Sequence, residues 1–216
     1  MIDSETQARR HEMVESQIAQ RGIRDEHVLD AMKRLPRELF LPPDQVHYAY
    51  EDRALPVGQG QTISQPYIVA LMTESLQVAP AQRVLEIGTG TGYQTAILAS
   101  LAGLVYSVER IETLSIDARQ RLGSLGIENV TFRVGDGSLG WPEQAPFDRI
   151  IVTAAAPKMI QSLIDQLADG GRLVIPVGDE GTQQLTTVQR QHGKIIKRPS
   201  IAVRFVKLIG ESGFPC

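Results

Sequence analysis

Apolar positions change period along this chain. From Glu5 to about Leu35 they recur at helical spacing in a polar background: Met13 and Ile18 first, then Val28, Leu29 and Met32 behind a capping candidate, Asp25. The pattern predicts two helices joined at Gly22. Pro36, Pro42 and Pro43 stop it, and a long irregular stretch is expected through Gly58, Gly60 and Pro66. Connections longer than about 12 residues commonly carry function. Ile68, Leu71, Met72 and Leu76 then mark one face of a helix that starts near Pro66.

From Val84 onward, short unbroken apolar runs alternate with helical stripes. Val84 to Ile87, Leu104 to Glu109, Val130 to Val134, Arg149 to Thr153 and Leu173 to Ile175 read as strands. Three helical stripes separate them. One carries Ile97, Leu98 and Leu101; the next carries Leu114, Ala118, Leu122 and Leu125 and stops at Gly126; the third starts at Pro157 with Ile160, Leu163, Ile164 and Leu167. Alternation of this kind predicts an α/β fold, a Rossmann-like doubly wound and mostly parallel sheet. Leu185 to Gln189 and Lys194 to Lys197 flank a His192-Gly193 turn, and Ala202 to Ile209 is a further strand-like run. Antiparallel strands should therefore close the sheet.

A length of 216 residues fits one domain. Its expected layout is an added N-terminal helical and substrate-loop region at 1–79, a cofactor-binding core at 80–180 and antiparallel strands at 181–216. Lys and Arg total 22 against 25 Asp and Glu, a net charge of −3, which disfavours a nucleic-acid partner. The single cysteine, Cys216, leaves no intramolecular disulfide and fits a reducing cytoplasm. Met1-Ile2-Asp3-Ser4-Glu5 lacks the basic and apolar regions of a signal peptide, and no apolar run approaches the roughly 20 residues of a membrane helix. A cytoplasmic protein without a membrane partner is expected, and a monomer. His11, His27, His47 and His192 are scattered without metal-ligand spacing, so no metal is expected.

The candidate chemistry centres on Gly88-Thr89-Gly90-Thr91-Gly92, where closely spaced glycines after a strand let backbone approach a ligand. A dinucleotide fingerprint needs glycine where Tyr93 stands. With Glu86 before it, the loop resembles instead the acidic, alternating-glycine signature of Rossmann-like S-adenosylmethionine-dependent methyltransferases. A glycine turn without a ligand is the plainer alternative. Glu109 lies 21 residues after Gly88 at the end of the second strand, where a carboxylate can accept from both ribose hydroxyls. Its alternative is an exposed ion pair with Arg110. Asp136, in Gly135-Asp136-Gly137, is placed by fold analogy at the adenine edge, against the common use of Asp beside Gly in a turn. After the fourth strand the chain reads Thr153-Ala154-Ala155-Ala156-Pro157, without the aromatic that would stack on a flipped base.

Longer segments are similar to one family throughout. Ala54 to Pro66, Arg83 to Thr95, Gly135 to Gly137, Ala145 to Asp148, Gly170 to Gly178 and Val203 to Val206 resemble the protein-L-isoaspartate O-methyltransferases, in the family's order, over about Met13 to Ile209. The resemblance implies methyl transfer from S-adenosyl-L-methionine, leaving S-adenosyl-L-homocysteine, to the free α-carboxylate of L-isoaspartyl residues in damaged proteins and peptides. It implies that Ser64 is the active-site serine and that Gln61, Thr62, Ile63 and Ser64 close over the cofactor. Together with the loop, spacing and fold arguments above, the expected cofactor set is Gln61, Thr62, Ile63, Glu86, Gly88, Gly90, Gly92, Glu109, Asp136 and Gly137. Lys207 departs from the family, whose members often carry proline there. By local sequence alone Ser64, two residues before Pro66, reads as a helix N-cap. Other methyl acceptors and a non-catalytic cofactor-binding module remain the rival readings. Recognition is expected to be main-chain based, with an extended peptide laid along an exposed edge near Val203 to Lys207.

Overall fold

The structure, a computed structural model, describes residues 4–215. Cys216 and Met1 to Asp3, on which the expectations about disulfides and targeting partly rest, lie outside the described residues. Helix α1 (Ser4–Glu12) widens to a π-helical turn over Met13–Ile18 and tightens to a 3-10 turn over Ala19–Arg21, where Gly22 at φ +102° ends it. Asp25 starts α2 (Glu26–Arg34) as expected, its carboxylate accepting the N–H groups of His27 at 2.9 Å and Val28 at 3.4 Å.

The stretch expected to be irregular is more ordered than its breakers suggest. It holds two 3-10 turns and a hairpin of β1 (Leu55–Gly58) and β2 (Gln61–Ile63). Gln59 and Gly60 link the strands at φ +54° and +69°, the two positive angles of a type I′ turn. Pro56, Gly58 and Gly60 hid these strands because each reads locally as a strand breaker. Helix α3 (Pro66–Leu76) then begins with proline in its first turn, where no backbone N–H is needed.

The remaining elements alternate: β3 (Arg83–Ile87), α4 (Tyr93–Leu101), β4 (Leu104–Glu109), α5 (Glu112–Ser124), β5 (Val130–Val134), β6 (Phe147–Val152), α6 (Gln161–Asp165) and β7 (Leu167–Gly178). The hairpin of β8 (Gln183–Gln191) and β9 (Lys194–Val203) follows, turning through His192 and Gly193 at φ +50° and +72°. The sheet order is β5-β4-β3-β6-β7-β8-β9, parallel from β5 to β7 and antiparallel beyond. The doubly wound α/β expectation holds, with two local corrections.

The helix expected from Pro157 to Leu167 shrinks to Gln161–Asp165, and Leu167 already belongs to β7, opposite Phe147. Gly170-Gly171, expected to precede the fifth strand, lies inside it. A Cβ on Gly171 would sit 2.8 Å from the Ala168 carbonyl oxygen, so only glycine fits the close backbone approach. The run Ala202 to Ile209 is likewise not one strand. After Val203 the chain leaves the sheet edge and crosses to the end of β6, where Ala155 donates to the Val206 carbonyl at 2.7 Å and accepts from the Leu208 amide at 2.8 Å.

Both faces of the central strands β3, β6 and β7 are buried, which explains their unbroken apolar runs. Leu85, Ile87 and Ile150 pack with Leu163 on one face, and Val84 and Ile151 pack with Met72, Leu76 and Leu98 on the other. A third cluster joins Met13, Ile18, Val28, Met32 and Phe40 from the N-terminal region to Tyr93, Ile97 and Leu122 of α4 and α5. Chain order reverses between β3 and β6, so their carboxyl ends open the crevice where ligands bind in such sheets. Among the described residues no helix is long and apolar enough to cross a membrane, and no His, Cys, Asp or Glu cluster could hold a metal.

Candidate active site

Two neighbouring clefts open at that crevice. The first runs over the glycine loop. Gln61, Thr62, Ile63, Ser64, Gly88, Gly90, Glu109 and Gly137 line it, so eight positions expected from sequence meet in one place. They come from β2, the end of β4 and the loops after β3 and β5. Glu86, Gly92 and Asp136 do not line it, and each has a physical reason for being elsewhere.

The three loop glycines do different work. Gly88, at φ +97°, donates to the Val108 carbonyl at 2.8 Å, and a Cβ there would lie 2.3 Å from Thr153 Oγ1. Gly90, at φ +53°, has nothing within 4 Å of an added Cβ, so bare backbone borders open space. Its N–H donates to Glu109 Oε2 at 2.9 Å. Gly92 serves packing instead. A Cβ on it would meet Leu122 Cδ1 at 2.7 Å, and without one α4 and α5 come close together.

Glu109 is buried, not the exposed partner of Arg110 that local sequence allows. Its Oε1 accepts the Ile111 N–H at 2.9 Å while Oε2 accepts that of Gly90, which leaves lone pairs on both oxygens for a ligand with two adjacent hydroxyls. Glu86 lies behind the loop, fully buried. One oxygen accepts hydroxyls from Thr95 and Ser107, each at 2.6 Å, and the other has no partner. Burial pushes its pKa up to about 8 against the two hydroxyl bonds, with the nearby Glu109 adding to the rise. Glu86 therefore joins β3, α4 and β4 and does not face a ligand.

Asp136 turns out to be committed to the backbone. Its Oδ1 accepts from the Ser138 amide and its Oδ2 from that of Glu211, both at 2.8 Å. Burial alone would raise its pKa; the bonds from Glu211 and Ser138 outweigh that and hold it below the ordinary value. Asp136 thus fastens the C-terminal segment beside the cleft. Gly137 does line the cleft, and a Cβ on it would clash with Ile87 Cγ2 at 2.4 Å.

Ser64 is not the N-cap of α3. Gln65 holds that position and makes no side-chain cap bond. Among the described residues the Ser64 hydroxyl has no protein partner, whereas its carbonyl accepts from Arg37 Nη2 at 2.8 Å. Ser64 also lines the second cleft, bounded by Ala54, Ile68, Thr182 and the 202–206 segment. Thr62, Ser64, Thr153 and Val206 border both clefts, so a molecule in one can meet a molecule in the other at Ser64.

Sequence reading missed Thr153, Gln94 and the Val206 to Ile209 stretch as lining residues. Thr153 had a signal, because it ends the strand next to β3 at the switch point. The 206–209 stretch had none, since its strand-like pattern concealed a crossing segment. Lys207 pairs with Glu180 at 2.7 Å, and among the described residues its amide makes no hydrogen bond, so a proline at this position would remove nothing from the backbone.

Comparison with known proteins agrees with this geometry. The family model described as Protein-L-isoaspartate(D-aspartate) O-methyltransferase (PCMT) matches residues 8–213. Protein-L-isoaspartate O-methyltransferase 2 of Geotalea uraniireducens is 52% identical over 206 residues, 95% of each chain. The Vibrio cholerae protein-L-isoaspartate O-methyltransferase is 56% identical over 192 residues, 89% of this chain and 92% of that one. Among solved structures, one titled protein-L-isoaspartate O-methyltransferase is 32% identical with a TM-score of 0.84, covering 94% of this chain and 67% of that one. A putative Plasmodium falciparum family protein in complex with S-adenosyl-L-homocysteine is 26% identical with a TM-score of 0.80, covering 93% and 98%.

Proposed function

This chain belongs to the protein-L-isoaspartate(D-aspartate) O-methyltransferase family, and from that premise we propose how its residues divide the work. It is an S-adenosylmethionine-dependent enzyme that methylates the free α-carboxylate of L-isoaspartyl residues in proteins and peptides. The carrying observation is the meeting of two clefts at Ser64, one over a glycine loop and one beside a sheet edge.

The first cleft fits the cofactor. Bare backbone at Gly90 leaves room for a ligand, and Glu109 has lone pairs facing a ribose diol. Gly88, Gly90 and Gly137 would border the nucleoside and methionine portions, and Gln61 to Ser64 would cover them. When bound, S-adenosylmethionine supplies a methyl group on a sulfonium, and the acceptor oxygen gains that methyl while the electron pair of the carbon–sulfur bond stays on sulfur. An α-carboxylate with a pKa of about 3.5 is ionised at neutral pH and needs no general base. The chain's task is therefore alignment and exclusion of water. The Ser64 hydroxyl, free of protein partners, orients one carboxylate oxygen. No covalent seryl intermediate is required.

The peptide lies extended along 202–206, where β9 ends at an open sheet edge and the second cleft begins. Main-chain pairing there suits an acceptor found in many sequence contexts. The whole chain acts as one domain, in which 1–79 and 181–216 are additions to the 80–180 core. We place it in the cytoplasm as a monomer acting on protein and not on nucleic acid or membrane, a reading supported by its net charge of −3 and single cysteine.

Base-labile methyl incorporation into an isoaspartyl peptide, with the normal aspartyl twin as control, tests the activity; equal labelling of both would sink it. Ser64→Ala is expected to lower turnover by about tenfold or more while affinity for S-adenosylhomocysteine stays within about twofold. An unchanged turnover would remove the serine from the mechanism.

A further inference from the structure

Among the described residues Arg37 is the largest fully buried side chain, and no part of the mechanism above uses it. It sits in a 3-10 turn, with Nε donating to the Ala49 carbonyl and Nη2 to that of Ser64, both at 2.8 Å. Its guanidinium centre lies 4.9 Å from the ring centroid of Tyr93, which lines the first cleft. The third nitrogen, Nη1, is buried without a partner, and so is the Tyr93 hydroxyl.

A buried cation is normally paired with a carboxylate, because an unpaired one carries a large desolvation cost. Among the described residues Arg37 forms no ion pair. The nearby carboxylates are engaged elsewhere: Glu38 by Arg10 and Tyr50, and Asp52 by Arg21, Gln65 and the Tyr67 amide. Burial lowers the Arg37 pKa, with Tyr93 opposing the shift. Arginine stays charged even so. The chain therefore buries a positive charge that has no ion-pair partner, offset by the more distant Asp52 and by Tyr93, directly behind Ser64, the residue at which the two clefts meet.

We propose that Arg37 is a positioning residue with two effects: its fork fixes the Ser64 peptide, and its charge biases the Ser64 junction toward an anionic acceptor over a neutral one. The inference rests on the acceptor being a carboxylate at Ser64. It adds a selection step to that reading. The carboxylate enters as an anion and leaves as a neutral ester, so the same field that favours substrate gives the product no matching attraction. Neutral α-amide peptides of the same shape are discriminated against for the same reason.

The test uses the full chain and compares KM for an isoaspartyl peptide with the inhibition constant of its α-amide twin. Arg37→Met is expected to reduce the preference for carboxylate over amide by about tenfold, with S-adenosylhomocysteine affinity by calorimetry within about twofold. Arg37→Lys, which keeps the charge but cannot reach both carbonyls in one plane, should retain the preference and lower kcat. A role in packing alone would weaken both peptides together. The proposal falls if Arg37→Met keeps the wild-type preference, or if the cofactor analogue loses affinity by the same factor. If Arg37→Met does not fold, Arg37→Lys decides alone, and either a lost preference or an unchanged kcat overturns it. Wild-type protein inactive on the isoaspartyl peptide would sink the functional reading and this one together; an active wild type with an unaltered preference in Arg37→Met sinks only this one.

Discussion

Replacing Glu109 with glutamine will weaken binding of S-adenosylhomocysteine by about 100-fold or more. Both carboxylate oxygens already accept a backbone N–H, from Gly90 and Ile111, and both retain capacity for a ribose hydroxyl. An amide has one acceptor oxygen, so its NH2 group must face a backbone donor. The variant thus loses acceptance from one ribose hydroxyl and the clamp that shapes the loop at Gly90. Each charge-assisted hydrogen bond is worth about 1.5–3 kcal/mol, and losing the equivalent of two gives the factor stated. Titration calorimetry measures it directly. A dissociation constant within threefold of wild type would remove Glu109 from the cofactor site, and a thermal melt on the same sample separates lost binding from lost fold.

The second large effect concerns stability and pH. Glu86 has a folded pKa of about 8 against an ordinary value of 4.5, raised chiefly by burial. Between those values the unfolded chain releases a proton that the native state retains. Native protein then binds more protons than unfolded protein, so stability falls as pH rises through this window, by up to about 1.4 kcal/mol per pH unit. Below about pH 4.5 the penalty is absent, and above about pH 8 it is complete. Glu86→Gln cannot titrate, while its carbonyl oxygen still accepts from Thr95 and Ser107. Urea unfolding at pH 5 and pH 8 should show the variant gaining several kcal/mol on wild type at the higher pH and little at the lower one. Parallel stability curves for the two proteins would refute a protonated Glu86.

These two acids show how far the site was legible. Both were picked out by spacing from the same glycine loop, and only one faces the cleft. Glu109 ends β4 beside an opening, whereas Glu86 sits one residue inside β3, where its side chain meets Thr95 and Ser107. Strand alternation alone does not say which side of a doubly covered sheet opens to a ligand. Gly92 and Asp136 repeat the lesson. A glycine needed for a helix contact and one needed for a ligand look identical in sequence, and an aspartate before glycine signals a turn whether or not it also holds a distant segment.

The chain order of strands and helices, the parallel core with its antiparallel end, the Asp25 cap and the glycine loop were all determined by the sequence alone, because they follow from local period, spacing and turn chemistry. Family membership was likewise carried by contiguous motifs. Tertiary structure decided the hairpin hidden under prolines, the departure of the chain from the sheet after Val203, and the junction of two clefts at Ser64. It also decided the charge of the interior. Whether Glu86 keeps a proton, or Arg37 lacks a counter-ion, depends on burial and on partners brought from up to tens of residues away, and no local pattern encodes that.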